Sequence, residues 1–289
     1  MPGGESGAVD APPEAPLYAV IGDPIAHSLS PAMHSAAIAA LGLQARYVPL
    51  RTTHQAFPAL VRELLAGGGG CNVTSPFKDD AFSLAGRHSA DAVRARAVNT
   101  IWGDPDQPEL DNTDVPAIRA AARRLVGPGQ AEVVRVFGTG GAARAAALAA
   151  ADEFPGVQVE IVSRSAGRAK QIGEWAAEVG LRCSTEADIM TPLDLMIWAS
   201  PVDYLVAKYP VSSPGLKATY DPPAPPPVLD LTYKAGGTKL VQLMRHGGFA
   251  AEDGRGVLIE QGALAFERFF GVPAPRHVMR EAVESALGA

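Results

Sequence analysis

One run constrains the fold more than any other: VVRVFGTGGAARAAAL, residues 133 to 148. Its first five positions read as a buried strand, and its alanine-rich end reads as a helix. Between them Gly138-x-Gly140-x-x-Ala143 sets three small residues at the spacing of a dinucleotide-binding turn. The first glycine permits a tight turn, and the second lets backbone approach a pyrophosphate. Ala143, at the third position, keeps helix and strand close. The helix N-terminus would present free N–H groups and a positive dipole end to phosphate. Candidate contacts in the loop are Gly138, Thr139, Gly140, Gly141 and Ala142. A glycine turn without a ligand is the plain alternative. The strand, helix and second βα unit that follow in register favour a nucleotide.

That next strand, VQVEIV (157–162), ends in Ser163-Arg164-Ser165, with Arg168 close behind. An NAD site usually puts an acidic residue at this strand end, to hold the ribose 2′-hydroxyl. Hydroxyls and guanidinium groups suit a 2′-phosphate instead. NADP is therefore expected over NAD. Two solvated arginines are the alternative, but cations at a helix start sit badly with its dipole.

Strand and helix signals alternate from about residue 17. Strands are expected at 17–22, 46–50, 71–74, 97–102, 133–138, 157–162, 194–200 and 227–233. Helices are expected at 31–42, 54–66, 114–125, 141–152, 166–179, 239–248 and 255–271. Such alternation means an α/β fold with mainly parallel sheets. The length, 289 residues, suits one large domain or two. A break is expected near Asp114. Residues 1–16 read as a disordered leader, being rich in Pro, Gly and Ala without a signal-peptide apolar core. The stretch 220–227, YDPPAPPP, reads as a stiff surface connector.

A net charge of −6 argues against general nucleic-acid or membrane-surface binding. No uncharged run reaches membrane-spanning length. Two widely separated cysteines, Cys71 and Cys183, point to a reducing compartment and no metal site.

In the first half several strands end in polar side chains: Ser28 and Ser30; Asn72, Thr74 and Lys78; Asn99 and Thr100; Asn112 and Asp114. Ligands of open parallel sheets bind beyond the carboxyl ends of the strands. Hydroxyls, amides, one lysine and one aspartate suit a small polyhydroxylated acid. Singly, each has a plainer use: Ser30 before Pro31, or Asp114 before Val115-Pro116, as a helix N-cap; the asparagines as loop braces; Lys78 as a solvated lysine. Gln261 lies on the helical face of Val257, Leu258, Leu264 and Ala265, where an amide must find partners.

This set resembles the shikimate dehydrogenase family, which includes quinate/shikimate dehydrogenases. The resemblance runs from about Tyr18 to Gly271. It rests on Ser28-Leu-Ser30, Asn72-Val-Thr74-x-Pro-Phe-Lys78, Ala97-Val-Asn99-Thr100, Asn112-Thr-Asp114, the glycine loop, Ser163-Arg164-Ser165 with Arg168, Asp230-Leu-Thr-Tyr233, and Asp253-Gly254 through Gln261. It implies two α/β domains: a three-layer substrate domain (17–113 plus 254–289) and a Rossmann-like NADP domain (114–253), with the active site in the cleft between them. It implies Lys78 and Asp114 as the catalytic pair. Ser28 and Ser30 would hold the substrate carboxylate. Asn72, Asn99 and Asp114 would bind ring hydroxyls, with Thr74, Tyr233 and Gln261 nearby. Ser200 and Gly254 join the cofactor set. The implied reaction is NADP-dependent interconversion of 3-dehydroshikimate and shikimate, in the cytoplasm, by a monomer or homodimer. Its partner would be a small cyclitol carboxylate, with no nucleic acid and no membrane.

The chain departs from the family pattern in places. Val115-Pro116-Ala117 stands where glycines are usual, and Trp198-Ala-Ser200-Pro201-Val202 where the family has Asn-x-Thr-Ser-Ser-Gly. Val257 replaces a methionine, and Arg96 a small residue. These bear on cofactor affinity and substrate choice, and leave two other readings. One is quinate or mixed quinate/shikimate oxidation with NAD. The other is a non-catalytic NADP-binding sensor, against which the Lys78–Asp114 pair counts.

Overall fold

The structure, a computed structural model, describes residues 15–128, 131–186, 192–200 and 226–288. Nearly all of the expected leader, Pro201, Val202 and most of the 220–227 connector lie outside the described residues.

The first sheet holds β1 (Leu17–Ile21), β2 (Arg46–Leu50), β3 (Gly70–Val73), β4 (Arg87–His88), β5 (Thr100–Gly103) and β6 (Pro108–Asp111). Their order is β2-β1-β3-β5-β6-β4. β1 runs parallel to β2 and β3. β5 runs antiparallel to β3 and β6, against the expectation from βα alternation. The reason is local. Only residues 104–107 join β5 to β6, too few for a crossover, and Gly103 turns the chain at φ 94°.

Helices α1 (Ser30–Ala40), α2 (Phe57–Ala66), α3 (Lys78–Phe82) and α4 (Ala90–Ala95) follow β1, β2, β3 and β4. On one face Phe57, Val61 and Leu64 of α2 pack on Ala19, Ile21, Cys71 and Val73. On the other, Met33, Ala37 and Ile38 of α1 meet Tyr18, Val20 and Tyr47. That second face is completed from the far end of the chain. α9 (Arg255–Phe270) and α10 (Arg276–Ala286) bring Ile259, Ala263, Phe266, Met279 and Val283 into the same core. The result is three layers. α10 was not among the expected helices; it buries Met279 and Val283, one turn apart.

The second sheet holds β7 (Val133–Phe137), β8 (Gln158–Val162), β9 (Cys183–Ser184), β10 (Leu195–Trp198), β11 (Val228–Asp230) and β12 (Ala251–Asp253). Its order, β12-β11-β10-β7-β8-β9, is parallel throughout. Read from β7 this is the doubly wound order 3-2-1-4-5-6, whose crevice opens between β7 and β10. α5 (Asp114–Val126), α6 (Gly141–Glu153) and α7 (Ala166–Glu178) bury Ile118, Ala122, Leu148, Ile172 and Trp175 in one core with Val134, Val136, Val159 and Ile161. α8 (Lys239–His246) covers the opposite face through Leu240, Val241 and Met244.

Candidate active site

Lys78 is the first residue of α3, just past the end of β3. Asp114 is the first residue of α5, just past β6. The two strands end on the same side of the sheet, so the Lys78 ammonium donates to Asp114 Oδ2. Both side chains are largely withdrawn from solvent, 16% and 12% exposed. Asn99 Nδ2 donates to Asp114 Oδ1 (2.9 Å), fixing the carboxylate plane. Asn112 Oδ1 accepts the Asp114 N–H (3.1 Å). Thus Asp114 is not an N-cap: it projects from the helix start instead of closing back on it. Ser30 is likewise the first residue of α1, which has no side-chain cap.

The pair opens on a cavity of about 220 Å³. Ser28, Ser30, Asn72, Thr74, Lys78, Asn99, Asp114, Tyr233 and Gln261 all line it. Those nine are the residues to which the family resemblance assigned catalytic or substrate roles. Ile25, Ile118, Leu231, Val257 and Leu258 supply apolar walls. His27 also lines the cavity; only its place beside Ser28 could have flagged it.

The amides are heavily engaged. Asn72 Nδ2 donates to Asn99 O (3.2 Å) and Thr100 Oγ1 (3.1 Å), so both its protons are spent. Its Oδ1 accepts from Tyr47 Oη (2.7 Å) and keeps a second lone pair, the only hydrogen-bonding capacity Asn72 has left for a ligand. Gln261 Nε2 donates to Leu258 O (2.8 Å), the internal bond expected of a glutamine on an apolar face, while the side chain still borders the cavity. Tyr233 Oη accepts a long bond (3.5 Å) from the Leu29 N–H, beside the serines. Burial pushes its phenol above the usual value, offset in part by bonds to Leu29 and Ser28.

A second cavity, about 710 Å³, lies over the crevice of the parallel sheet. Gly138, Thr139, Gly140, Ser163, Arg164, Ser165, Arg168 and Ser200 line it. Gly138 needs its glycine: φ is 131°, and a Cβ would stand 3.0 Å from Ala199 O. At Gly140, the residue before α6, a Cβ would point into open space. The first helical bonds run from Ala143 and Arg144 to Gly140 O, which leaves the Gly141 and Ala142 N–H groups for an anion. No acidic side chain lines this cavity, and no ion pair among the described residues engages Arg168. The site fits a phosphorylated dinucleotide. Ser163 and Ser165 also shape the turn: Ser163 Oγ accepts the Ser165 N–H (3.2 Å), and Ser165 Oγ caps α7.

Three further residues assigned to the cofactor are not among those that line this cavity. Ala142 and Gly254 line the smaller cavity. Gly254 is glycine because a Cβ would stand 2.3 Å from Leu231 O. Gly141 lies against Lys78, where a Cβ would be 3.5 Å from Lys78 Cβ and 3.1 Å from Ala97 Cβ. The start of α6 therefore joins the two cavities at Lys78.

Residues 20–101 match the family model for the shikimate dehydrogenase substrate binding domain. Residues 254–284 match that for the shikimate 5'-dehydrogenase C-terminal domain. A shikimate dehydrogenase (NADP(+)) of Halobacterium salinarum is 38% identical over 277 residues, 94% of this chain and 99% of the relative. This chain belongs to the shikimate dehydrogenase family. Another member, from Anaeromyxobacter dehalogenans, is 36% identical over 94% of this chain and 97% of its own. Among solved structures, shikimate 5-dehydrogenase from Thermus thermophilus in complex with shikimate superposes with a TM-score of 0.77, at 31% identity over 94% of this chain and 99% of that one. The same enzyme in complex with NADP(H) and shikimate gives 0.76.

Proposed function

We propose that the chain is an NADP-dependent shikimate dehydrogenase, interconverting 3-dehydroshikimate and shikimate. The observation that carries this reading is the Lys78–Asp114 pair, set where the smaller cavity meets the start of α6. The names and bound ligands of the relatives above support the same substrate and cofactor.

In this reading Ser28 and Ser30 bind the carboxylate, with Tyr233 beside them. Asn72 accepts from a ring hydroxyl. Lys78 Nζ faces the reacting oxygen: as the neutral amine it takes the hydroxyl proton during oxidation, becoming the ammonium, and as the ammonium it returns that proton during reduction. Asp114 receives the ammonium in the geometry that Asn99 imposes. Gly138 to Ala142 and Ser200 border the dinucleotide, and Ser163, Arg164, Ser165 and Arg168 hold its 2′-phosphate. NADP, when bound, supplies the hydride carrier. We place the division between the two domains at 17–113 plus 254–289 and 114–253. Two free cysteines, one of them buried, fit a cytoplasmic location. A monomer or homodimer completes the proposal.

The test is initial-rate reduction of NADP and NAD, each with shikimate and with quinate. Rapid reduction of NADP with shikimate is expected. Reduction of NAD with quinate would favour the sister activity. NADP binding with no turnover would favour a sensor. Lys78→Ala should lose at least about a hundredfold in kcat, the usual scale of a lost general acid–base, with NADP affinity unchanged. Near-normal turnover in that variant would remove Lys78 from its role.

A further inference from the structure

Behind the substrate cavity, Tyr47 of β2 is buried at 5% exposure, and neither the sequence motifs nor the cavity lining includes it. Its hydroxyl lies 2.7 Å from Asn72 Oδ1. The directions of the bonds that follow are fixed by main-chain groups. Asn99 O can only accept, so the Asn72 atom facing it at 3.2 Å is Nδ2, and the atom facing Tyr47 is Oδ1. Tyr47 must therefore donate. Thr113 N can only donate, so the Asn99 atom facing it at 2.8 Å is Oδ1. Asn99 Nδ2 then faces Asp114. Thr100 Oγ1 lies between the two amides. It accepts from Asn72 Nδ2 (3.1 Å) and gives its one proton to Asn99 Oδ1 (2.9 Å), its nearer acceptor.

The bonds make one unbroken series: Tyr47 to Asn72, Asn72 to Thr100, Thr100 to Asn99, Asn99 to Asp114. Every donor points toward the Asp114 carboxylate, and Lys78 closes the series from the other side. Aligned hydrogen bonds polarise one another in a low-dielectric interior. The tyrosine ring is held flat against the buried His34 ring, centroids 4.2 Å apart at 2°. That contact survives loss of the hydroxyl.

We propose that Tyr47 is a positioning residue for catalysis, acting through Asn72, Thr100 and Asn99 on the carboxylate of Asp114. This rests on the dehydrogenase reading above.

The experiment is a double-mutant cycle of Tyr47→Phe and Thr100→Val, each removing one hydroxyl at nearly constant shape. In Tyr47→Phe, kcat/KM for shikimate should fall about tenfold, the scale of one lost buried hydrogen bond near a reacting group. The KM for NADP should be unchanged and the melting temperature nearly so. Because both variants break one series, the double variant should be no worse than the poorer single variant within about twofold. Unchanged kcat/KM in Tyr47→Phe, or losses that multiply in the double variant, would overturn the proposal. So would a loss matched by an equal rise in the KM for NADP, the mark of general loosening. Wild-type protein without turnover would overturn the functional reading instead. Shikimate affinity by calorimetry then decides: weaker binding in Tyr47→Phe supports the series, and equal binding or none in the wild type overturns it.

Discussion

Ser30 and Asp114 show how a residue type can be legible while its task is not. Both precede a helix signal and both suit a cap. In the structure neither caps; each stands at the helix start with its side chain on the cavity. Their chemistry was legible in the sequence because hydroxyls, amides and a lysine recur at strand ends. The partners were not, because Tyr47, Asn72 and Asp114 come from three different elements and meet only in the fold. His34 was equally opaque. Neither ring nitrogen has a partner among the described residues, and burial lowers its pKa to about 3. An unfolded histidine titrates near 6.5. The unfolded chain therefore binds the extra proton between those values, and stability is lost as pH falls from about 6.5 toward 3. The slope reaches about 1.4 kcal/mol per pH unit. In His34→Leu the decline should be shallower by that amount, read from urea midpoints at several pH values. An identical slope would mean that His34 is protonated in the fold.

Among elements, the strand–glycine–helix unit at 133–153 was fully legible, since periodicity, glycine spacing and helix length all agree there. The two-residue strands β4 and β9 were not, because no pattern can repeat over so short a span. The antiparallel β5 was hidden for another reason: its sequence says strand, and only the four-residue connection says which way it runs. The glycine loop separates fold from binding cleanly. At Gly140 a Cβ meets nothing within 4 Å. Gly140→Asp should therefore leave the melting temperature nearly unchanged. It should also weaken NADP by well over about tenfold, as a fixed negative charge enters the phosphate site. Unchanged affinity by fluorescence titration would place the pyrophosphate elsewhere.

At the scale of the molecule, a polar corner ties α4 of the first half to α6 and α7 of the second. Arg94 grips Asp152 with two bonds of 2.7 and 2.8 Å, and Trp175 Nε1 donates to Arg94 O (2.8 Å). Arg96 pairs with Glu178 there while holding a left-handed backbone, φ 47°. That conformation costs a residue with a side chain roughly 1–2 kcal/mol, and an exposed pair returns about 0–1 kcal/mol. Arg96→Gly should therefore keep or slightly raise stability in urea. A loss above about 1 kcal/mol would show that the corner is held chiefly by this pair.

The return of α9 and α10 to the first sheet has a consequence in time. The face formed by Tyr18, Val20, Met33 and Tyr47 is written early in the message, yet the side chains that cover it come last. Ribosomes add about 5–20 residues per second, so the roughly 170 residues between β6 and the end of α10 leave that surface uncovered for about 10–30 s. Every newly made copy passes through an interval in which its first sheet is finished and its substrate pocket has no roof. A chaperone that screens nascent chains would meet this protein through that one apolar face.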